Sequence, residues 1–519
     1  MNKSNRFLLG IFFCSLVVRL ILAFQLPSFT HESYFHLRQV EHITETGFPL
    51  YQDQLSYGGR ELIFLPLFHY IAAFFDLFLP LEFVAKILPN LLLASLVLLA
   101  YLIAKELGYS STGSLFAAGI AGFLPALFAT NAFTPQSLFL PLLFLAVYAF
   151  LKIQHIEGKE QKDVEKKQKK NGEQKKMQGV LQKKYVYLYL LAFFLASLTS
   201  PAAIILLFGF GLYSLISLAE SRKLPRKEWE IFIASAFFYL WIQLVFFNDI
   251  LKREGISFIW QNIPTAILPE YFPQVSVSHA IILVSVIPLV AGIFVVYRSL
   301  FSAQEQKTFL PIGLAAAAII FIFLRFFPIK LGLSFLGILL AILFAQFYDW
   351  LFSFLQRTKL SLTLQKITAL LFLLLLLTTV YPALSTALHQ SIPSAEEVKA
   401  FTWLSTHTEK NATVLALVEE GHLLTALAKR KNIMDDQFNL IDDVEQRFID
   451  VNLLYQTKFQ TQALHLLEKY NLRYIVFTPH AQQQYQLKRL QYLSPECFHL
   501  IYNHDTIKIY ERKCTLEKK

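Results

Sequence analysis

Residues 30–68, THESYFHLRQVEHITETGFPLYQDQLSYGGRELIFLPLF, gather groups that can do chemistry. Glu32, Glu41, Glu45, Asp53 and Glu61 supply carboxylates, and His31, His36 and His42 supply imidazoles. Arg38 and Arg60 are the only strong bases in the stretch. Carboxylates beside imidazoles suit proton transfer to a substrate hydroxyl or amide, and they suit binding of a hard divalent cation. Such groups work only if something rigid holds them, and the segments on both sides are strongly apolar.

Those segments point to a bilayer. Of 519 residues, 55% are hydrophobic and 16% charged, against the roughly 25% charged of soluble domains. Long apolar runs recur, and about 20 apolar residues suffice to cross the hydrocarbon core. The first run, 7–24, follows Lys3 and Arg6. A signal peptide shares that basic lead, but no small-residue cleavage pattern precedes the polar stretch, so a retained helix is expected. The formal net charge is +10. Its excess lies in loops between apolar runs, as the positive-inside rule requires, which removes the case for a nucleic-acid partner.

Spans are expected at 7–24, 83–104, 115–128, 137–151, 185–198, 202–218, 229–247, 280–297, 309–326, 329–351 and 367–387. The fold class is thus a polytopic α-helical membrane protein of about 11 to 13 spans. Loop 152–184 holds eleven lysines against five acids, a balance of +6, and belongs in the cytoplasm as a solvated linker. With the basic N-terminus also cytoplasmic, residues 26–82 form an external loop. Parity then requires 62–80, which contains His69, Asp76 and two prolines, to lie along the external interface rather than cross. Loops 129–136 and 248–278 fall on the same side.

After the membrane part, 1–387, the composition becomes that of a soluble domain, 388–519. Ser394 and Glu397 have capping-box spacing. Strands are expected at 412–418 and 473–478, helices at 421–431 and 459–470, and a closing hairpin at 498–502 and 506–510. Alternating helices and strands predict an extracytoplasmic α/β domain. Cys497 and Cys514 can pair, but they do not sit opposite each other in that hairpin.

This layout resembles the GT-C superfamily of membrane glycosyltransferases, and most of all the catalytic subunit of archaeal oligosaccharyltransferases. His31-Glu32-Ser33-Tyr34-Phe35-His36-Leu37-Arg38 is similar to the start of that family's first loop, with Glu32 where its acid stands. Ser56-Tyr57-Gly58-Gly59-Arg60, Leu65-Pro66-Leu67-Phe68 and Leu88-Pro89 follow in the family's order. Glu270 with Pro273 is similar to the family's late-loop acid, and Arg325 before Phe326-Phe327-Pro328 to its phosphate-side arginine. Leu417-Val418-Glu419-Glu420-Gly421, with Met434-Asp435-Asp436 beyond it, occupies the place of the family's acceptor motif. Two departures stand out. The family's tryptophan pair is absent, which points to an acceptor other than the Asn-x-Ser/Thr sequon. The second loop, Asn131-Ala132-Phe133-Thr134-Pro135-Gln136, has no acid, and Gln136 falls near the position of the family's second metal ligand.

The resemblance implies transfer of a sugar or oligosaccharide from a polyprenyl-phosphate-linked donor to a protein, lipid or glycan acceptor at the extracytoplasmic membrane face. Glu32 is the implied catalytic acid group. Mn²⁺ or Mg²⁺ is the implied cofactor, with Glu32, Glu270, Gln136 and His31 as ligands. Arg325 and Lys330 are implied for the donor phosphate, and Glu419, Glu420, Gly421 and His422 for the acceptor. Membrane lipids are the remaining expected partner. A non-catalytic GT-C-derived subunit or lipid-linked glycan binding protein is the alternative. A transporter would show broken or charged spans and internal repeats, neither of which is clear.

Overall fold

The computed structural model describes residues 3–165, 172–220, 225–255, 263, 268, 275–301, 306–358, 363–504 and 506–516. Glu270, an expected metal ligand, lies outside the described residues. All eleven expected spans fall on helix. Among the described residues, eight helices are long and apolar enough to cross a membrane, or nine if the pair Val277–Val284 and Val286–Phe301, bent by 87°, counts as one. Helices Ser111–Gly122 and Gly172–Ser197 make up the difference. The former has 12 residues, about 18 Å of rise against a core of ~30 Å. The latter begins in the lysine-rich stretch, so only its second half is apolar.

Helix Leu67–Asp76 has 10 residues and rises only ~15 Å, too little to cross. Phe74 and Phe78 on and after it are 56% and 71% exposed. The centre of the bundle is helix Ile329–Gln356, apolar all round and almost wholly buried, as a helix enclosed by others must be. It packs against Ser111–Gly122, Val286–Phe301 and Phe309–Phe323. Gly313 lets its helix meet Ile204–Ala219 closely, since a Cβ there would lie 2.7 Å from the Tyr213 amide nitrogen.

Two short strands, β1 (Gln52–Asp53) and β2 (Arg60–Glu61), pair within the first loop. The C-terminal sheet contains β3 (Thr413–Leu415), β4 (Lys431–Asn432), β5 (Leu472–Phe477), β6 (Phe498–His504) and β7 (Ile507–Arg512). Their order is β4-β3-β5-β7-β6, with β3 parallel to both neighbours and β7 antiparallel to both of its own. The Ser394–Glu397 capping box opens helix Ala395–His407. The closing hairpin differs from the expected one. β6 pairs as far as His504 with Ile507 and shifts register between Leu500 and Tyr502. Phe498 stands against Arg512, and just beyond that pair Cys497 and Cys514 join as a disulfide with Cα atoms 4.9 Å apart.

The C-terminal domain and the first loop share one apolar core. Val40, Ile43, Phe68 and Val84 pack in the same cluster as Phe133, Phe401, Val414 and Val476. The polar stretch is therefore clamped between the bundle and the sheet.

Candidate active site

The first loop enters a helix, His31–Thr46, at Thr30. The second loop braces that entry. The Thr30 amide donates to the Asn131 carbonyl at 3.2 Å, the Phe133 amide to Ser33 Oγ at 2.9 Å, and Asn131 Nδ2 to the Ser28 carbonyl at 2.6 Å. Glu32 stands in the first turn, where free helix amides favour a carboxylate. Its side chain is 51% exposed and its Oε1 lies 3.8 Å from His36 Nε2. Burial of the surrounding cleft opposes its ionisation. The nearby His36, and then the charges of His422 and Lys330, outweigh that and hold its carboxyl below the ordinary value.

Behind Glu32 runs a buried imidazole pair, with His36 Nδ1 2.8 Å from His69 Nε2. Burial, and then the neighbouring His36, push His69 well below the ordinary histidine range, so it stays neutral. Arg38 makes two 2.7 Å bonds to Asp53 and is thereby committed to the loop's own architecture.

The C-terminal domain supplies the facing wall. The first loop docks on it through Ser56 Oγ to Asp435 Oδ2 (2.7 Å), Tyr57 OH to the Asp435 carbonyl (2.7 Å) and the Tyr57 amide to Asn432 Oδ1 (2.7 Å). Arg60 donates to the Gln437 and Asn439 carbonyls. On that wall His422 is 3% exposed, with Nε2 2.5 Å from Asp436 and Nδ1 3.9 Å from Asp435. Burial opposes its charge, but Asp435 and Asp436 overcome it and push it up to about 9. Burial likewise opposes ionisation of Asp435, while His422, Arg60, Asn432 and Ser56 hold it below its ordinary value. The Phe35 ring separates the His36 and His422 rings, with centroids 5.1 Å and 5.2 Å away.

The sequence-expected residues therefore divide. Glu32, Lys330 and His422 converge, since the last two charges act on the Glu32 carboxyl. His31 joins them. Its ring lies 6.1 Å from that of His480, and burial together with His480 and His422 pushes it down to about 4. Glu419, 62% exposed, meets His480 at 3.4 Å on the rim. Glu420, expected to bind an acceptor, points inward instead. It is 1% exposed, accepts from Thr478 Oγ1 at 2.5 Å and from the Leu417 amide at 3.2 Å, and is pushed up to about 8 by burial. Gly421 is tightly packed, because a Cβ there would sit 2.5 Å from the Met434 carbonyl oxygen. Gln136 heads helix Gln136–Glu165 and is half-buried. Arg325 is exposed, in a left-handed turn at φ 57°, and is not among the charges that act on Glu32. His69 and His480 escaped sequence reasoning because no spacing links positions so far apart.

Two groups offer donors to a divalent cation. Glu32 is an ionised, half-exposed carboxylate, which suits a hard cation. His422, Asp435 and Asp436 have ligand atoms within 4.8 Å of one another. That second group is already self-paired. Asp435 Oδ2 accepts from Ser56 and Asn432, its Oδ1 from the Gln437 amide at 3.1 Å, and His422 is held as a cation. A metal binds neutral imidazole, so the second group fits an ion poorly.

A helical membrane bundle, a polar first loop braced by the second, and a terminal α/β domain docked on the first loop make up a fold that other solved structures share. Solved structures with that fold include the oligosaccharyltransferase of Archaeoglobus fulgidus in the apo form, with a TM-score of 0.65 at 14% identity over 90% of this chain and 69% of that one. The same archaeal enzyme, AglB, in complex with an inhibitory peptide and a dolichol-phosphate superposes with a TM-score of 0.63, also at 14% identity and the same coverage. ArnT from Cupriavidus metallidurans bound to undecaprenyl phosphate gives a TM-score of 0.53 at 12% identity, with 98% of each chain covered. No protein-family model and no curated protein sequence matches the chain.

Proposed function

We propose that the chain is a GT-C glycosyltransferase that moves a sugar from a polyprenyl-phosphate-linked donor to an acceptor at the extracytoplasmic membrane face. The observation that carries this reading is the setting of Glu32. It is an ionised carboxylate on a membrane-anchored loop, with the cations Lys330 and His422 acting on it from two other elements. In the proposed reaction Glu32 engages the acceptor nucleophile and takes up its proton or orients it. The acceptor atom forms the new bond to the anomeric carbon, and the old bond to the phosphate oxygen breaks with its electron pair on the leaving phosphate. Lys330 and His422 stabilise that charge, the largest effect available in such a site. Arg325 enters this reading as a further phosphate contact supplied when donor binds.

Glu32, Glu270, Gln136 and His31 are the proposed ligands of Mn²⁺ or Mg²⁺, and the ion when bound neutralises phosphate charge. The rim at Glu419 and His422 is the proposed acceptor wall, with Glu420 and Gly421 holding its shape. The Cys497–Cys514 disulfide supports an oxidising location for this domain. The dolichol-phosphate and undecaprenyl phosphate bound by the neighbours support a lipid-linked donor. The acceptor is protein, lipid or glycan, and the absent tryptophan pair argues against the usual sequon.

The test is a transfer assay with polyprenyl-linked donors, with and without Mn²⁺, comparing the unaltered chain with Glu32→Gln. Transfer that survives the substitution sinks the assignment. Cysteine-accessibility labelling at Glu82 checks the orientation, because a cytoplasmic position there overturns it. The second reading, a non-catalytic lipid-glycan binder, rests on Gln136 standing where a second acid is expected. It predicts donor binding without turnover.

A further inference from the structure

On the flank of the bundle, the first helix (Lys3–Gln25), helix Ser111–Gly122 and the last span (Leu364–Leu388) enclose a groove of about 760 Å³. Its walls are almost entirely apolar. It runs from Arg6 to Val18 along the first helix, a rise of ~18 Å, which is a little more than one leaflet of a ~30 Å core. Two glycines form its floor. A Cβ at Gly10 or at Gly119 would meet nothing within 4 Å. Elsewhere on helix Ser111–Gly122 glycine is used for close packing, since a Cβ at Gly113 would lie 2.8 Å from the Ala345 carbonyl oxygen and one at Gly122 2.8 Å from Val97. Glycine inside a helix costs roughly 0.5–1 kcal/mol relative to alanine. At Gly10 and Gly119 no neighbouring protein atom accounts for that cost, and the space above them, inside the groove, is open.

The far wall carries a π-helical segment, Leu376–Val380, and Leu376, Thr379 and Val380 of it line the groove. Such segments are frequent at functional sites. Arg6 is the one charged residue in the lining. Among the described residues no carboxylate or hydrogen-bond acceptor engages its guanidinium. Arg6 is at the start of the first helix, while Glu32 follows the end of that helix, 23 residues on, so the two stand at opposite membrane faces. A lipid whose phosphate reached Arg6 would belong to the leaflet away from the site.

We propose that this groove binds one anionic glycerophospholipid, with its acyl chain over Gly10 and Gly119 and its phosphate on Arg6. The groove is separate from the donor site and stands whatever reaction Glu32 performs. The test is native mass spectrometry of the full-length chain in detergent, with phosphatidylglycerol, phosphatidylcholine or undecaprenyl phosphate added singly and in competition. Unaltered protein should retain one phosphatidylglycerol about fivefold better than phosphatidylcholine, the preference one surface cation provides. Arg6→Gln, at an exposed position, should keep the fold and abolish that preference. Gly10→Leu with Gly119→Leu should reduce retention of either phospholipid at least tenfold. Equal retention of both phospholipids by the unaltered chain overturns the proposal. So does unchanged retention in the Arg6→Gln or double-leucine variants, or displacement of phosphatidylglycerol by undecaprenyl phosphate.

Discussion

Glu32 and Glu420 are two carboxyl groups at one interface, and their surroundings push them in opposite directions. Glu32 stands at a helix start, half-exposed, with His36, His422 and Lys330 holding it ionised. Glu420 stands one residue before a helix in the C-terminal domain, buried against Thr478 and pushed up to about 8. Carboxyls driven apart in this way commonly take different tasks. In the proposed reaction Glu32 carries the chemistry, while Glu420 holds the strand-to-helix turn in shape.

The largest expected effect tests that division directly. Glu32→Gln should lower transfer by about 10³-fold, within the range of a lost acid–base or charge-bearing group, without lowering the melting temperature. Equal losses from Glu32→Gln and Glu420→Gln would erase the distinction. Lys330→Met comes next. It removes a cation that acts on Glu32 and, in the proposed reaction, on the leaving phosphate. We expect a loss of about 10–30-fold in transfer, carried mainly by the rate constant rather than by donor KM. A change in KM alone would make Lys330 a binding contact. His422→Gln should cost about tenfold. It should also lower stability by ~2 kcal/mol, because Asp435 and Asp436 lose their cation and Asp435 is fully buried. Loss of stability without loss of transfer would confine His422 to architecture.

How much of this could be read beforehand depends on the range of the interactions. The Ser394–Glu397 cap and strand Leu472–Phe477 follow from local pattern and the short helix Leu67–Asp76 from the parity of the charged loops, and all three stand within a few residues of where the sequence places them. Glu32 was legible as the acid of a polar loop after an apolar run. Its partners were not, because Lys330 and His422 reach it only through tertiary packing. Adjacent Glu419 and Glu420 are the same residue type, yet one is 62% exposed and the other 1%. Only the turn after Leu417 decides which faces inward. The disulfide depends on the hairpin register in the same way, and the pairing of His504 with Ile507 that sets this register leaves no mark in composition. The 87° bend at Ser285, where the hydroxyl meets Thr379 at 2.6 Å, breaks the span expected at 280–297, because hydropathy carries no direction.

The smallest effect on transfer belongs to Glu420, and pH is the way to see its role. Its folded value, about 8, lies above the unfolded carboxyl value, so the folded state holds an extra proton between roughly pH 4.5 and pH 8. Stability from this group is then complete below about pH 4.5 and is lost as pH rises through about 8, at no more than ~1.4 kcal/mol per pH unit. His422, raised to about 9, changes stability in the same direction but only above about pH 6.5, where an unfolded histidine begins to lose its proton. Between pH 5 and pH 6.5 His31 and His69, both lowered chiefly by burial, act with the opposite sign, so the contribution of Glu420 is read as the difference between the unaltered chain and Glu420→Gln. Gln reproduces the neutral carboxyl, since its carbonyl accepts from the Leu417 amide and its NH₂ donates to Thr478 Oγ1. Glu420→Gln should make the slope of melting temperature against pH more positive across that window and change transfer by less than about twofold. An unchanged slope would mean that Glu420 is ionised in the folded chain, and the contrast with Glu32 would then rest on exposure alone.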